Sequence, residues 1–459
     1  MKRIIYVLLP ALAVSNLSTR YLRILAVLFG MATLFVFPNA ARAQFLTVDC
    51  SGTNPYASFS TINAALPAAG PGAFIQVTGT CTENVVIYGA INLTLGAPFG
   101  QTATLNGNLS INNSQDVYLY GLNVTNNVGD GIDVNSSRSV ILNSCTSNGN
   151  AQDGLSAGQS SDIAINAMGS FSNNGRYGIL VGSNSFVNVV SWVGTTEISN
   201  NQAAGVWMSQ ANFATLGNTH IANNGVLSTT ITRFGIEVLG GGKVQFGSVF
   251  GPSVIENNPN GGVFLQESAE ISLFSLLPNG QDVVRNNGPF GISAGLGTQV
   301  TLAGAQITGH TGPGVDVYGH SQLFANQFPG FGTNQILNNG RAGDPLSAAI
   351  RVDGNSEALL RGANISLNSG PAILTLVNSS ADFAGVTFSG NTGVITCDST
   401  STMVSDLSTT ARTPASGVAC ATAHSLGNRP VNAPATVVPD ITPWKAMHNR
   451  YQQRSAAQK

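Results

Sequence analysis

Acidic residues are scarce in this chain, so the few that gather stand out. The stretch "GDGIDVNSSRSVILNS" (Gly129–Ser144) sets Asp130 and Asp133 three apart beside glycines, with Arg138 close behind. Two carboxylates at short range can share the general acid and base work of glycosidic cleavage. A third acid, Asp153, follows in "AQDGLSA". A second constellation mixes aromatics with charge. Arg176 and Tyr177 precede Gly178, Arg233 and Phe234 precede Gly235, and Phe290 precedes Gly291; Trp207, Glu237 and Phe264 each stand two residues after a glycine. Aromatic faces can stack on sugar rings while Arg and Glu bond hydroxyls, so these eight residues form a candidate glycan-binding strip.

Both constellations sit in a repeat. The segments "NNVGDGIDV", "NNGRYGILV", "NNQAAGVWM", "NNPNGGVFL" and "NNGPFGISA" share one pattern, anchored on a small residue before an apolar one. The anchors are Gly131, Gly154, Gly178, Gly205, Gly235, Gly262, Gly291, Gly314, Ala349, Ala372 and Gly393. After each anchor the first and third positions are apolar, as in Ile132/Val134 and Val206/Met208, while the second varies without common chemistry. Such alternation predicts a strand with one buried face. A second strand follows ("SVILNS", "DIAINA", "FVNVVS") and a third precedes the next turn ("TEISNN", "THIANN", "SVIENN"). Three short strands per repeat and no helical segment predict a parallel solenoid whose coils pair with those above and below. At the turn, Asn tolerates left-handed backbone and can bond its amide to the same residue one coil away; the adjoining glycine is expected to supply positive φ.

Stacking assigns the acids to columns. Asp133 falls in the outward column that elsewhere holds Trp207, Glu237 and Phe264, whereas Asp130 and Asp153 share the same turn position in successive coils. Their carboxylates are then expected about 5 Å apart, the range of a retaining glycosidase pair. The same spacing suits a Ca²⁺ ion, or simply polar turn positions that accept Asp. For the aromatic strip the alternative is cover by the insertions Val226–Thr232 and Phe328–Asn334. His220, His310, His320, His424 and His448 show no metal-ligand spacing and read as solvated polar residues, so no metal site is expected from them.

Composition narrows the class. Of 459 residues only 9% are charged and the net charge is −2, which leaves no basic face for nucleic acid. Arg20 and Arg23, the apolar run Ile24–Phe37 and "ARA" before Gln44 read as a secretory signal over residues 1–43, cut after Ala43. No later stretch is long and apolar enough to span a bilayer, so the mature chain is expected in the periplasm or outside the cell. In that oxidising setting Cys50–Cys81 and Cys397–Cys420 are expected to staple the two ends, with Cys145 a buried small residue.

A solenoid must cover its open ends. "SFSTINAALPAAGPG" offers a Ser N-cap and a helical face of Phe59, Ile62, Ala65 and Leu66; residues 44–110 thus form an N-terminal cap and first coils, residues 111–397 the repeat domain, and residues 398–459 a C-terminal cap and polar tail. The entry "FSTINAAL", followed by "IQVTGTCTENVVI" and the "NN…GIxV" coils, resembles the right-handed parallel β-helix (pectin-lyase-like) superfamily. The resemblance covers about Cys50 to Cys397. It implies an all-β, right-handed parallel β-helix of three-strand coils with a short capping helix and an irregular tail. "NVGDGIDV" is similar to the N-T-D-G-I-D segment of polygalacturonases, which would make Asp130 catalytic; that family's paired Asp, G-H-G and R-I-K are absent, leaving only "GHT" and "GHS". The favoured expectation is an exported protein that binds polysaccharide or another extracellular surface, with a polysaccharide hydrolase or lyase and a structural or adhesive rod as alternatives.

Overall fold

The computed structural model describes residues 44–125, 128–191, 193–210, 212–225, 234–247, 251–275, 280–328, 330–344 and 346–405. The expected leader therefore lies outside the described residues, as do Arg233, Cys420, His424, His448 and the insertion Val226–Thr232. The chain divides into two compact units, Met1–Glu237 with Gly242–Val244 and Val238–Gly241 with Gln245–Lys459.

In the first unit the coils contribute strands to three faces, except that the coil beginning at Leu155 meets the third face only through an isolated bridge at Ser170, to Thr146 and Glu197. The first face stacks Val85–Tyr88, Leu109–Asn112, Ile132–Asn135, Leu155–Gly158, Ile179–Val181 and Val206–Met208, all parallel. The second runs from Phe45–Asp49 to Phe213–Gly217, and the third is built of short strands such as Leu122–Thr125 and Thr219–Ala222. The register is one residue to its counterpart, so Leu109, Ile132, Leu155, Ile179 and Val206 form one inward column, all fully buried. Burying each such side chain contributes about 1.5–3 kcal/mol. The second unit repeats the plan, with a first face of Val263–Leu265, Ile292–Gly295, Val315–Tyr318, Ile350–Asp353, Pro371–Thr375 and Gly393–Cys397. Its second face ends at Thr402–Ser405.

The Asn-Asn turn divides its labour between the two residues. The first takes the left-handed backbone: Asn173, Asn200, Asn223, Asn257, Asn286 and Asn338 all have φ between 51° and 58°. The second is buried and carries the ladder. Asn150 Nδ2 donates to Asn174 Oδ1 (3.0 Å), Asn174 to Asn201 (3.0 Å) and Asn201 to Asn224 (2.9 Å), while each backbone N–H bonds the same oxygen. In the second unit Asn339 and Asn368 do likewise. Directly after the Asn-Asn pair, Gly225 and Gly340 take the expected positive φ, 82° and 96°, whereas the anchor glycines have another role. Gly154, Gly178 and Gly205 are not left-handed; a Cβ there would come within 2.7, 2.7 and 2.8 Å of the ladder amides of Asn174, Asn201 and Asn224. The same Cβ would also meet the carbonyl oxygen of the next anchor, Gly178, Gly205 and Gly235 respectively, at 2.7–2.8 Å, so ladder amide and neighbouring backbone together require glycine.

At the opposite corner serines form a second ladder. The N–H groups of Ser114, Ser137 and Ser161 donate to the hydroxyls of Ser137, Ser161 and Ser185. Thr298, Ser321, Ser356 and Ser379 repeat this towards Ser401.

The N-terminal cap is the helix Ile62–Ala65, and its N-cap is Thr61 rather than a serine: Thr61 Oγ1 accepts from Ala64 N. The remaining open N–H groups, of Ile62 and Asn63, donate to the two oxygens of Glu83. Cys50 and Cys81 form the expected disulfide. Cys397 is also disulfide-bonded. Cys145 is free and buried, and burial pushes its thiol up to about 11. His310 is not solvated as expected. It takes the ladder place of an Asn, with Nε2 3.1 Å from Val284 O, and burial holds it neutral, down to about 4.

Candidate functional site

The turn Asn173–Tyr177 lies against the coil below it. A Cβ at Gly175 would collide with Ala151 O, so only glycine lets this turn seat so closely. That seating aims Arg176 at Asp153, one coil back. Arg176 Nε and Nη2 donate to the two oxygens of Asp153 at 2.8 and 2.5 Å, and Tyr177 N adds a third bond at 3.1 Å. The Asp153 side chain is 0% exposed against 43% for Arg176. Burial raises the Asp153 carboxyl above the ordinary range, and the bidentate guanidinium opposes this. Asp130 stands on the far side: its Oδ1 accepts from Asp153 N (3.0 Å) and lies 4.0 Å from Arg176 Nη2. A positive group thus already serves both carboxylates, and it is the protein's own guanidinium.

The array continues into rings. Arg176 Cζ lies 5.3 Å from the Tyr177 ring centroid. Tyr177 in turn stacks on Trp207, centroids 5.5 Å apart and planes 18° from parallel. Both rings are half-buried. Trp207 is held there by the strand Val206–Met208, whose outward position it occupies above Leu180, Ser156, Asp133 and Ser110. Burial and, secondarily, the Asp130 charge raise the Asp133 carboxyl, which accepts from Asn135 Nδ2 at 2.7 Å.

Glu237 follows Trp207 in this column. Val206 N donates to Gly235 O at 3.0 Å, the same bond that joins Ile179 to Gly205 one coil earlier. Glu237 is 4% exposed, its Oε2 has no hydrogen-bond partner, and burial pushes it up to about 7. Phe234 is buried as well. Phe264 and Phe290 belong to the second unit, where both are half-buried. The insertion Phe328–Asn334 covers a different face. Phe331 packs 6.1 Å from Phe274, a second-face residue, and Thr333 O accepts from Gln281.

Sequence reasoning placed Arg176 beside Tyr177 but missed its pairing with Asp153. It also missed other ion pairs between stacked coils, among them Glu197 with His220 (2.8 Å), Glu256 with Arg285 (2.5 Å), Asp316 with Arg351 (2.7 and 2.8 Å) and Asp382 with Arg361 (2.8 Å). Opposite charges at equivalent positions of neighbouring repeats were the available signal for the first three. Among the described residues the one grouping of potential metal ligands is Cys50, Cys81 and Glu83, and its cysteines are joined to each other.

A family described as "Right handed beta helix region" matches residues 107–274. The chain is a right-handed parallel β-helix. No curated protein matches it. Among solved structures, this β-helix is similar to pectate lyase Pel9A at 13% identity, over 58% of this chain and 76% of the other, with a TM-score of 0.47. The Azotobacter vinelandii mannuronan C-5 epimerase AlgE6 A-module aligns at 14% identity over 77% and 94%, TM-score 0.37. The Siphovirus 9NA tailspike receptor binding domain aligns at 9% over 84% and 77%, TM-score 0.32. None of these likenesses bears on the residues of the site. Among the described residues no helix is long and apolar enough to cross a membrane.

Proposed function

We propose that this β-helix is an exported protein that binds a polysaccharide chain along the first face of its first unit. Tyr177 and Trp207 are the stacking platform, and Arg176 is the donor to sugar hydroxyls. The observation that carries the reading is the continuous array from the Asp153-locked guanidinium to two near-parallel rings. A fixed guanidinium and stacked rings lose little freedom on binding, which favours affinity. Coils repeat at about 4.8 Å, close to the rise of one pyranose unit, so successive sugars can meet successive coils. Export is supported by the leader-like sequence and by the Cys50–Cys81 disulfide. Titration calorimetry against a panel of plant and bacterial glycans tests the reading. Trp207→Ala is expected to weaken the bound glycan by about tenfold, near 1.4 kcal/mol; unchanged binding would defeat it.

Hydrolysis is a second reading, favoured by Glu237, whose carboxyl at about 7 suits a general acid. It lacks a free carboxylate partner at the expected place, because Arg176 holds both oxygens of Asp153. Release of reducing ends from a bound glycan, lost in Glu237→Gln, would establish it.

A further inference from the structure

We infer that the site takes an uncharged glycan and that Asp130 and Asp133 exclude polyuronates. This rests on the binding proposed for the Arg176–Trp207 surface and specifies its ligand. The first argument is the state of the only cation described there. An arginine grips a carboxylate through two parallel N–H bonds. Arg176 has spent that edge, Nε and Nη2, on Asp153. Its other edge, Nη1 with Nη2, has Asp130 Oδ1 4.0 Å from Nη2, so a carboxylate arriving there meets a carboxylate already in place, whereas a hydroxyl does not carry that charge.

The second argument is the charge balance. Asp130, Asp133 and Asp153 against Arg176 give −3 + 1 = −2 when all are ionised. Glu237 only adds negative charge as it ionises. Asp133 already responds to the charge of Asp130, so an incoming carboxylate meets a field that is repulsive before it arrives. A polyuronate presents one such group on every sugar. Meanwhile Ser110, Ser156 and Asn135 beside Asp133 give hydroxyl-scale partners to a neutral chain.

The test compares neutral oligosaccharides (glucans, mannans, xylans) with oligogalacturonate and oligomannuronate, on the full chain and its Asp130→Asn/Asp133→Asn variant. The Asp130→Asn change keeps a side-chain oxygen to accept from Asp153 N, so the turn retains its bond. The expected result is at least tenfold tighter binding of a neutral chain than of any uronate. That ratio should shrink at least threefold in the double variant, and also in wild type as salt rises. Uronate binding as tight as neutral binding, still lost in Trp207→Ala, would overturn the inference and leave the proposed function standing. Binding of neither class would overturn both. Neutral preference with an unchanged ratio in the double variant would remove the role of the two aspartates. Circular dichroism and thermal melting confirm that each variant is folded.

Discussion

The two units use the same clamp for different ends. In the first, Arg176 holds Asp153 across one coil; in the second, Arg351 holds Asp316 in the same bidentate way. Both aspartates are buried, and burial raises both carboxyls against the pull of their arginines. The difference lies in where the arginine stands. Arg351 is on a strand, registered between Asp316 and Leu374, and its side chain is 25% exposed. Arg176 is in a turn, 43% exposed, with its Cζ 5.3 Å from the Tyr177 ring, which stacks on Trp207. A buried ion pair on its own is a fastening. It becomes a candidate site when the turn brings rings to it.

The sharpest way to break this comparison is to remove each aspartate. Asp153→Ala and Asp316→Ala each strand a partly solvated arginine, and each is expected to cost about 1–3 kcal/mol in denaturant unfolding. Glycan binding should disappear only in Asp153→Ala; its loss in Asp316→Ala too would make the two clamps equivalent.

The ladders extend the comparison to pH. From Asn150 to Asn224 the first unit's ladder is all Asn, while the second admits His310; at another corner of the second unit Asp282 sits where Asn334 serves two coils later, as the acceptor for the preceding coil. Burial pushes Asp282 from 3.8 up to about 8, and its Oδ2 has no hydrogen-bond partner. The folded chain therefore keeps a proton that the unfolded chain gives up above pH 4. Stability should fall as pH rises from about 4 to 8. Asp282→Asn is expected to remove that slope and to gain about 1–3 kcal/mol at pH 8, read from urea midpoints. His310 acts with the opposite sign. Its pKa drops from 6.5 to about 4 on folding, so its contribution is present above pH 6.5 and lost as pH falls through 4. His310→Asn should flatten the acid limb by about 1–2 kcal/mol at pH 5.

The smallest effect sharpens the role of Asp130. Asp130→Asn retains its bond to Asp153 N, so a stability change within about 0.5 kcal/mol is expected in thermal melts. A larger loss would show that Asp130 belongs to the clamp.

Much of the fold was legible because the repeat is written in the chain. Period-two alternation after each anchor located the inward column, and the doubled Asn announced the ladder. The reason for the anchor glycines was not legible: a Cβ conflict with the next coil's amide and backbone is a distance between coils, and local sequence carries only the turn. His310 misled for a related cause, since a histidine in "TGH" shows no sign that its place is the buried one. For the site, the aromatic and charged positions were readable, and so was the shared turn position of Asp130 and Asp153. The Arg176–Asp153 bond was not. It joins residues 23 apart through a turn whose seating depends on Gly175.

The Asn and Ser ladders also bear on how such a chain can change over generations. Runs such as Asn150–Asn224 and Ser114–Ser185 make the same bonds from rung to rung, so a coil duplicated or deleted within them finds a matching surface on both sides, like a tile in a course. The number of coils is therefore a quantity that drift can alter cheaply. The Arg176–Asp153 pair and the Tyr177–Trp207 stack are not tiles, because each spans a specific seam. A coil inserted at either seam would leave a folded protein and no site, so selection on binding should appear as fixed coil order between Asp130 and Trp207.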